Sequence, residues 1–284
     1  MVPPMQTTTR IALAALLLFA TPAAAQDDVA EEVPPHLRVE EAPPELRVEV
    51  PDLDPFQEKL ATVANPLLPE EHAQALFDEL VANGEIAVPS LVATFRSGQS
   101  GDQENWVAAR ALGRIGGTAA IRALTSGLDS PRIITRLGAV SGLTLIADKD
   151  TVPALEQALF DRAMTVRAAA ADALAIIGSR KSSLALSKAL NLPANYHQGR
   201  SHFVRMHIVQ ALGNIGSIGG IEALIGVLGE DEEPLQIAAS LSLEKITGTS
   251  FRPLGGDPMA APSAAEVAQW RAWWSQRSVG EIGD

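Results

Sequence analysis

The sequence predicts an all-α fold, a solenoid of stacked helix pairs, and three observations carry that prediction. Leucine-led segments recur along the chain at Leu112, Leu143, Leu174, Leu212 and Leu243, with spacings of 31, 31, 38 and 31 residues. Apolar residues between them fall at spacings of three and four, the period of one helix face. Aromatic residues make up only 4% of the chain, so burial rests on small and medium side chains, which favours closely packed helices over sheets.

The N-terminus reads as a targeting segment. Arg10 precedes the apolar run 11–20, and Ala23-Ala24-Ala25 follows as a small-residue cleavage site. A membrane-spanning helix needs roughly 20 apolar residues, so this run predicts a secretory signal over 1–25, cleaved after Ala25. The expected location is exported, periplasmic or extracellular, with no stable membrane insertion after cleavage.

Residues 26–53 read as a spacer. Residues 26–59 hold eleven acids against three bases, a net of −8 within a formal −12 for the whole chain. Pro34-Pro35-His36-Leu37-Arg38-Val39-Glu40 recurs nearly unchanged as Pro43-Pro44-Glu45-Leu46-Arg47-Val48-Glu49. Charge and paired prolines prevent a packed core, so the stretch is expected to be extended and disordered. No basic stripe exists anywhere, which excludes nucleic acid as a partner. There is no cysteine, which excludes disulfides, thiolate metal sites and cysteine nucleophiles.

The repeat domain is assigned to 54–250, with helical patterning clear from about residue 69. Each unit is a helix A, a tight turn and a helix B. Ile115, Ile146, Ile177, Ile215 and Ile246 each lie three residues after the repeat leucine, near the end of helix A. The turn carries Gly116-Gly117, Ala147-Asp148, Gly178-Ser179, Gly216-Ser217 and Thr247-Gly248, where a left-handed backbone ends the helix. Helix B shows Ile121, Leu124 and Leu128, then Val152, Leu155 and Leu159, then Ser183, Leu186 and Leu190, then Ile221, Leu224 and Leu228. A degenerate earlier copy supplies Val88, Leu91 and Phe95. Ala108, Ala139, Ala170, Ile208 and Ala239 share one register of helix A, mostly small, which lets neighbouring backbones approach. No unit can bury its apolar face alone, so the units must stack.

Arg136, Arg167 and Arg205 share another register of helix A, with Asn105 and Gln236 in the outer units. On these residues, "TVRAAAADALAIIG" (165–178) and "FVRMHIVQALGNIG" (203–216) resemble HEAT repeats of the short bacterial kind also found in phycobilisome-lyase-like proteins. The resemblance covers about 69–250. It implies a right-handed α-α superhelix, a HEAT-like solenoid, whose B helices line the concave face. It also implies that the three arginines support neighbouring units.

A solenoid scaffold leaves function to surface sites. The helix-B rows Thr125, Glu156, Ser187, Ile225 and Ser126, Gln157, Lys188, Gly226 are expected to face solvent. They are mixed and weakly charged, which suits a protein or peptide segment. The extra residues between the third and fourth units fall within 191–207, which holds Tyr196, His197, Arg200, His202 and His207. Insertions in a solenoid map to loops and often to the binding face, so Tyr196, His197, Arg200 and His202 join the partner-binding candidates. His202 and His207 are five apart, which does not suit one helix face, and no carboxylate lies nearby in sequence to complete a metal shell. Metal binding through the loop histidines therefore ranks third among the readings, and no cofactor is implied.

The chain carries no nucleophile elbow, phosphate loop, zinc-protease motif or dinucleotide turn. The leading expectation is a non-catalytic scaffold that binds a protein or peptide in the cell envelope. The alternative is an enzyme accessory or chromophore-lyase-like protein, because some phycobilisome-lyase relatives attach chromophores.

The last unit lacks a helix B in register, and residues 251–284 are read as a loop and a closing helix. Ser263 and Glu266 fit a capping box. Val267, Trp270 and Trp274 follow at helical spacing, with Trp273 beside them. "ITGTSF…W..WW" resembles the end of many secreted or periplasmic bacterial HEAT proteins, where a Trp-bearing helix closes the array. That helix is expected to cover the open apolar end of the stack, because solenoids require capping.

Overall fold

The computed structural model describes residues 54–280 of the chain. The expected signal segment 1–25 and spacer 26–53 lie outside the described residues.

The described residues form thirteen α-helices and one two-stranded ribbon. Two helices precede the regular units: α1 (Pro55–Val63) and α2 (Glu70–Ala82). Helix α1 starts earlier than the sequence pattern indicates, because Asp54 caps it by accepting from the Phe56 amide at 2.9 Å, with Pro55 at its first position. The degenerate copy forms α3 (Val88–Arg96). The paired units are α4 (Asp102–Ile115) with α5 (Gly117–Gly127), α6 (Ile133–Ile146) with α7 (Val152–Ala158), α8 (Met164–Ile177) with α9 (Ser183–Leu190), and α10 (Val204–Ile215) with α11 (Ile221–Val227). Helix α12 (Glu233–Thr247) is an A helix without a B partner, and α13 (Ala264–Gly280) ends the described chain. This is an all-α solenoid.

The A helices end as their turn residues require. Gly178, Gly216 and Gly248 take left-handed φ values of 72°, 67° and 67°, and Ala147 does the same at 52° without being glycine. In three units a single 3₁₀ turn then leads into helix B, over Lys149–Thr151, Arg180–Ser182 and Ile218–Gly220.

Successive A helices pack on one another, α4 on α6, α6 on α8, α8 on α10 and α10 on α12, far more closely than most successive B helices do. Small residues set this spacing. A Cβ added to Gly142 would lie 2.8 Å from the carbonyl oxygen of Ala109, and one on Gly113 would lie 2.7 Å from that of Gly142. Two rows with unequal spacing bend towards the tighter one, so the A helices form the inner, concave row. The expectation that B helices line the concave face is corrected accordingly. The same small residues read from the sequence as allowing close approach are the ones that place the A row inside.

The repeat arginines tie the rows together. Arg136, Arg167 and Arg205 are all buried. Each reaches a carbonyl at the end of the preceding B helix or in the turn that follows it. Arg136 Nη1 donates to Ser130 O at 2.9 Å, Arg167 Nη1 to Asp161 O at 2.7 Å, and Arg205 Nε to Leu190 O at 3.1 Å. Asn105 and Gln236 repeat the contact in the outer units, to Phe95 O at 2.8 Å and Glu230 O at 2.7 Å. Each arginine also reaches forward past its own B helix. Arg136 forms a bidentate pair with Asp161 at 2.7 and 2.9 Å. Arg205 does so with Glu230 at 2.5 and 2.7 Å.

The 191–207 insertion is a built element. Strands β1 (Tyr196–His197) and β2 (Arg200–Ser201) pair antiparallel. Gln198 and Gly199 turn between them with φ values of 51° and 77°, the backbone of a tight hairpin. Asn195, fully buried, anchors the ribbon: it accepts from Arg167 Nε at 2.8 Å and donates to Ala189 O at 2.7 Å. A neutral amide thus stands where the neighbouring units offer Arg136 and Arg205 a carboxylate. Burial pulls Arg167 below the usual arginine range, and Asp161 only partly opposes it.

At the C-terminal end, α13 packs on α11. Ser263 and Glu266 exchange bonds, Ser263 N to Glu266 Oε2 at 2.8 Å and Glu266 N to Ser263 Oγ at 3.3 Å. Trp270 is 1% exposed and meets Phe251 edge-on at 4.8 Å between ring centroids. Val267 is buried beside it, while Trp273 and Trp274 are half-buried. Arg277 lies over the Trp273 ring at 4.2 Å, which occupies the indole face a ligand would use.

Candidate functional site

The concave A row carries an apolar surface that the sequence reading overlooked. Ile133, Leu145, Ile176 and Leu241 are exposed on A helices, and Phe203, also exposed, stands at the N-cap of α10. Register explains why three of them, Leu145, Ile176 and Leu241, align. Ser141, Asp172, Gln210 and Leu241 occupy one repeat position, and Leu145, Ile176, Asn214 and Lys245 occupy the next along the same face.

The row opens into a groove of about 650 Å³ between α10 and α12. Met206 and Gln210 line one wall, Ile237, Ala238 and Leu241 the other, and Met259 from the loop before α13 closes one side. Lys245 and Asn214 stand at one end, with Lys245 Nζ donating to Asn214 Oδ1 at 2.8 Å. The groove is apolar with a few polar groups and lies in the size range of small-molecule sites. A single register position helps to open it. His207 on α10 projects into the gap towards α8, whereas Ala238, one unit later in the same register, leaves the gap towards α10 unfilled.

His207 Nδ1 lies 2.9 Å from both carboxylate oxygens of Asp172. That hydrogen bond holds the imidazole above its usual pKa, against the opposing effect of partial burial. Phe203 meets the His207 ring edge-on at 5.7 Å. The sequence reading had found no carboxylate near this histidine. Asp172 sits 35 residues earlier on the neighbouring A helix, where only the repeat register could have revealed it.

The three histidines of the insertion do not converge. His197 and His202 stack at 6.1 Å between centroids, while His207 faces Asp172. Among the described residues no group of three or more His, Cys, Asp or Glu is placed to hold a metal ion. Tyr196 lies against Arg205, whose guanidinium sits 4.5 Å from the ring centroid. Burial pushes the Tyr196 phenol up, and the nearby Arg205 offsets part of that. Arg200 is exposed on the ribbon.

The helix-B candidates divide. Ile225 is 6% exposed, which corrects its assignment to the solvent face: α13 lies against α11 where another B helix would have stood apart. Thr125 and Ser187 are half-buried, and the Ser187 Oγ is shut away from solvent without a partner. Glu156, Gln157 and Lys188 do come together, along a groove of about 390 Å³ between α7 and α9. A second groove of about 610 Å³ shares Pro153, Glu156 and Lys181 with it and adds Lys149 and Arg180.

These features define a class: an all-α solenoid carrying HEAT-like repeats. The family model for HEAT repeats matches residues 121–197, and that for the PBS lyase HEAT-like repeat matches 106–130. The chain is 28% identical over 178 residues to the phycocyanobilin lyase subunit alpha of Picosynechococcus sp.. That match covers 60% of this chain and 56% of the relative, so the chain spans little more than half of the curated relative's length. Among solved structures, the complex of CpcE and CpcF of phycocyanin lyase from Nostoc sp. matches at 25% identity and a TM-score of 0.48, covering 57% of this chain and 65% of that one. Human deoxyhypusine hydroxylase matches at 12% identity and a TM-score of 0.34, over 68% of this chain and 98% of that one.

The similarity to a lyase subunit corrects the expectation that the chain is not an enzyme. That expectation rested on missing local motifs. A repeat array assembles neighbouring groups from successive helices, as Asp172 and His207 show at a separation of 35 residues, so it leaves no local motif to find. Among the described residues no helix is long and apolar enough to cross a membrane.

Proposed function

We propose that the chain is a chromophore-lyase-like subunit that holds an apolar, carboxylate-bearing tetrapyrrole in the groove between α10 and α12. The observation that carries this reading is the groove itself: an apolar concave site of about 650 Å³ with a lysine at one end. The similarity to a phycocyanobilin lyase subunit supports the ligand class. In this reading Met206, Ile237, Leu241 and Met259 take the ring system, and Lys245 pairs with a ligand carboxylate. The Asp172–His207 pair, one helix gap away, supplies an imidazole–carboxylate pair of the kind that gives and takes protons. The name of the relative, a subunit, supports a protein partner as well.

Titration of the purified chain with phycocyanobilin, followed by visible absorbance and circular dichroism, tests the reading. Saturable spectral change is expected for the native chain and its loss for Leu241→Asp. Equal change in both would place the ligand elsewhere, and no change in either would refute the proposal.

A further inference from the structure

The splayed outer row carries a second surface, independent of the concave groove. Between α7 and α9 the two adjoining grooves are lined by Lys149, Arg180, Lys181 and Lys188 against one acid, Glu156. None of the four cations has a hydrogen-bond or ion-pair partner among the described residues. Asp148 and Asp150 flank Lys149 in its turn, Asp148 capping it through the Asp150 amide at 2.9 Å, but neither lines the grooves. In a chain of formal charge −12 this concentration of unpaired cations is unusual. The floor is apolar: Phe160 is 46% exposed and Leu184 is 60% exposed, and both line the groove. The sequence reading judged this face weakly charged because it counted helix positions only. Lys149, Arg180 and Lys181 arrive from the 3₁₀ turns that lead into the B helices.

We infer that this groove docks an acidic peptide segment of another protein, its carboxylates on the four cations and its apolar side chains against Phe160 and Leu184. Charge complementarity selects the acid, and the exposed apolar floor selects a segment that alternates acidic with apolar residues. Helices of seven and eight residues are about 10–12 Å long, which spans roughly three residues of extended chain. The segment is therefore short.

Fluorescence anisotropy with a labelled ten-residue peptide of alternating Glu and Leu, added to the full chain, tests this. Binding should weaken about tenfold or more in the double variant Lys181→Glu, Lys188→Glu, and should fall with added salt. Leu184→Ser should weaken it without changing the salt dependence. The substituted side chains are exposed, and circular dichroism checks that each variant keeps its helices. The inference is overturned if the double variant binds as well as the native chain, or if a Lys-Leu peptide of the same length binds equally. It is also overturned if the Glu-Leu peptide is not bound while anionic phosphatidylglycerol vesicles or a thymidine oligonucleotide are. Phycocyanobilin binding is measured separately, so failure here leaves the concave-site reading standing, and the reverse holds.

Discussion

Arg205 and Glu230 form a two-pronged ion pair, Nη1 to Oε2 at 2.5 Å and Nη2 to Oε1 at 2.7 Å, with the arginine side chain fully buried and the glutamate 30% exposed. The pair joins the inner helix α10 to the turn that follows the outer helix α11, and Tyr196 of the insertion lies against the guanidinium. Removing one partner of a buried pair costs about 3–5 kcal/mol. Arg205→Ala is expected to lower stability by about that amount in urea unfolding. Arg205→Lys should recover only part of it, because an ammonium cannot reproduce the planar fork. A full recovery by lysine would show that charge alone matters here.

Gly142 and Gly226 make opposite predictions for one substitution. A methyl on Gly142 would meet the Ala109 carbonyl at 2.8 Å and Leu124 at 2.7 Å, while one on Gly226 meets nothing within 4 Å. Gly142→Ala is expected to destabilise by about 1–3 kcal/mol through overpacking. Gly226→Ala is expected to stabilise by about 0.5–1 kcal/mol, because it relieves the cost of glycine inside a helix. Thermal unfolding of the two variants side by side checks both signs.

Trp270 should behave as a core residue. At 1% exposure, packed against Phe251, its replacement by alanine is expected to cost about 3–5 kcal/mol. Trp273→Ala should cost clearly less, because that ring is only half-buried. Equal losses in chemical denaturation would contradict this division of the three indoles.

The Asp172–His207 pair makes stability depend on pH. The folded pKa of His207 is raised by its bond to Asp172. Its contribution is therefore fully present below the unfolded value of about 6.5 and is lost as pH rises through the folded pKa. Both side chains are more than a third exposed, so the effect should be only about 0.5 kcal/mol. Asp172→Asn should flatten the profile over that window. A slope unchanged by the substitution would assign the pH dependence to another group.

Much of the fold was legible in the sequence, because a stacked array repeats its own rules. Gly178, Gly216 and Gly248 mark the ends of A helices, and the arginine register sits at one place in each unit. The site was less legible. Ile176, Leu241 and Ala238 read as ordinary helix residues until the A row is known to be the concave one. That depends on which row packs more tightly, a relation between helices about thirty residues apart. Asp172 and His207 are hidden for the same reason. The ribbon at Tyr196–Ser201 reads from the sequence as a loop of partner-binding candidates. Its anchor is Asn195, whose partner Arg167 lies 28 residues earlier.

The central claim is that the inner face between α10 and α12 holds the ligand. Hydrogen exchange of the full chain, with and without phycocyanobilin, tests it most directly. Slower exchange confined to peptides from 204–215, 233–247 and the loop around Met259 is the predicted result. Protection centred on α7 and α9, or no protection at saturating ligand, would contradict it.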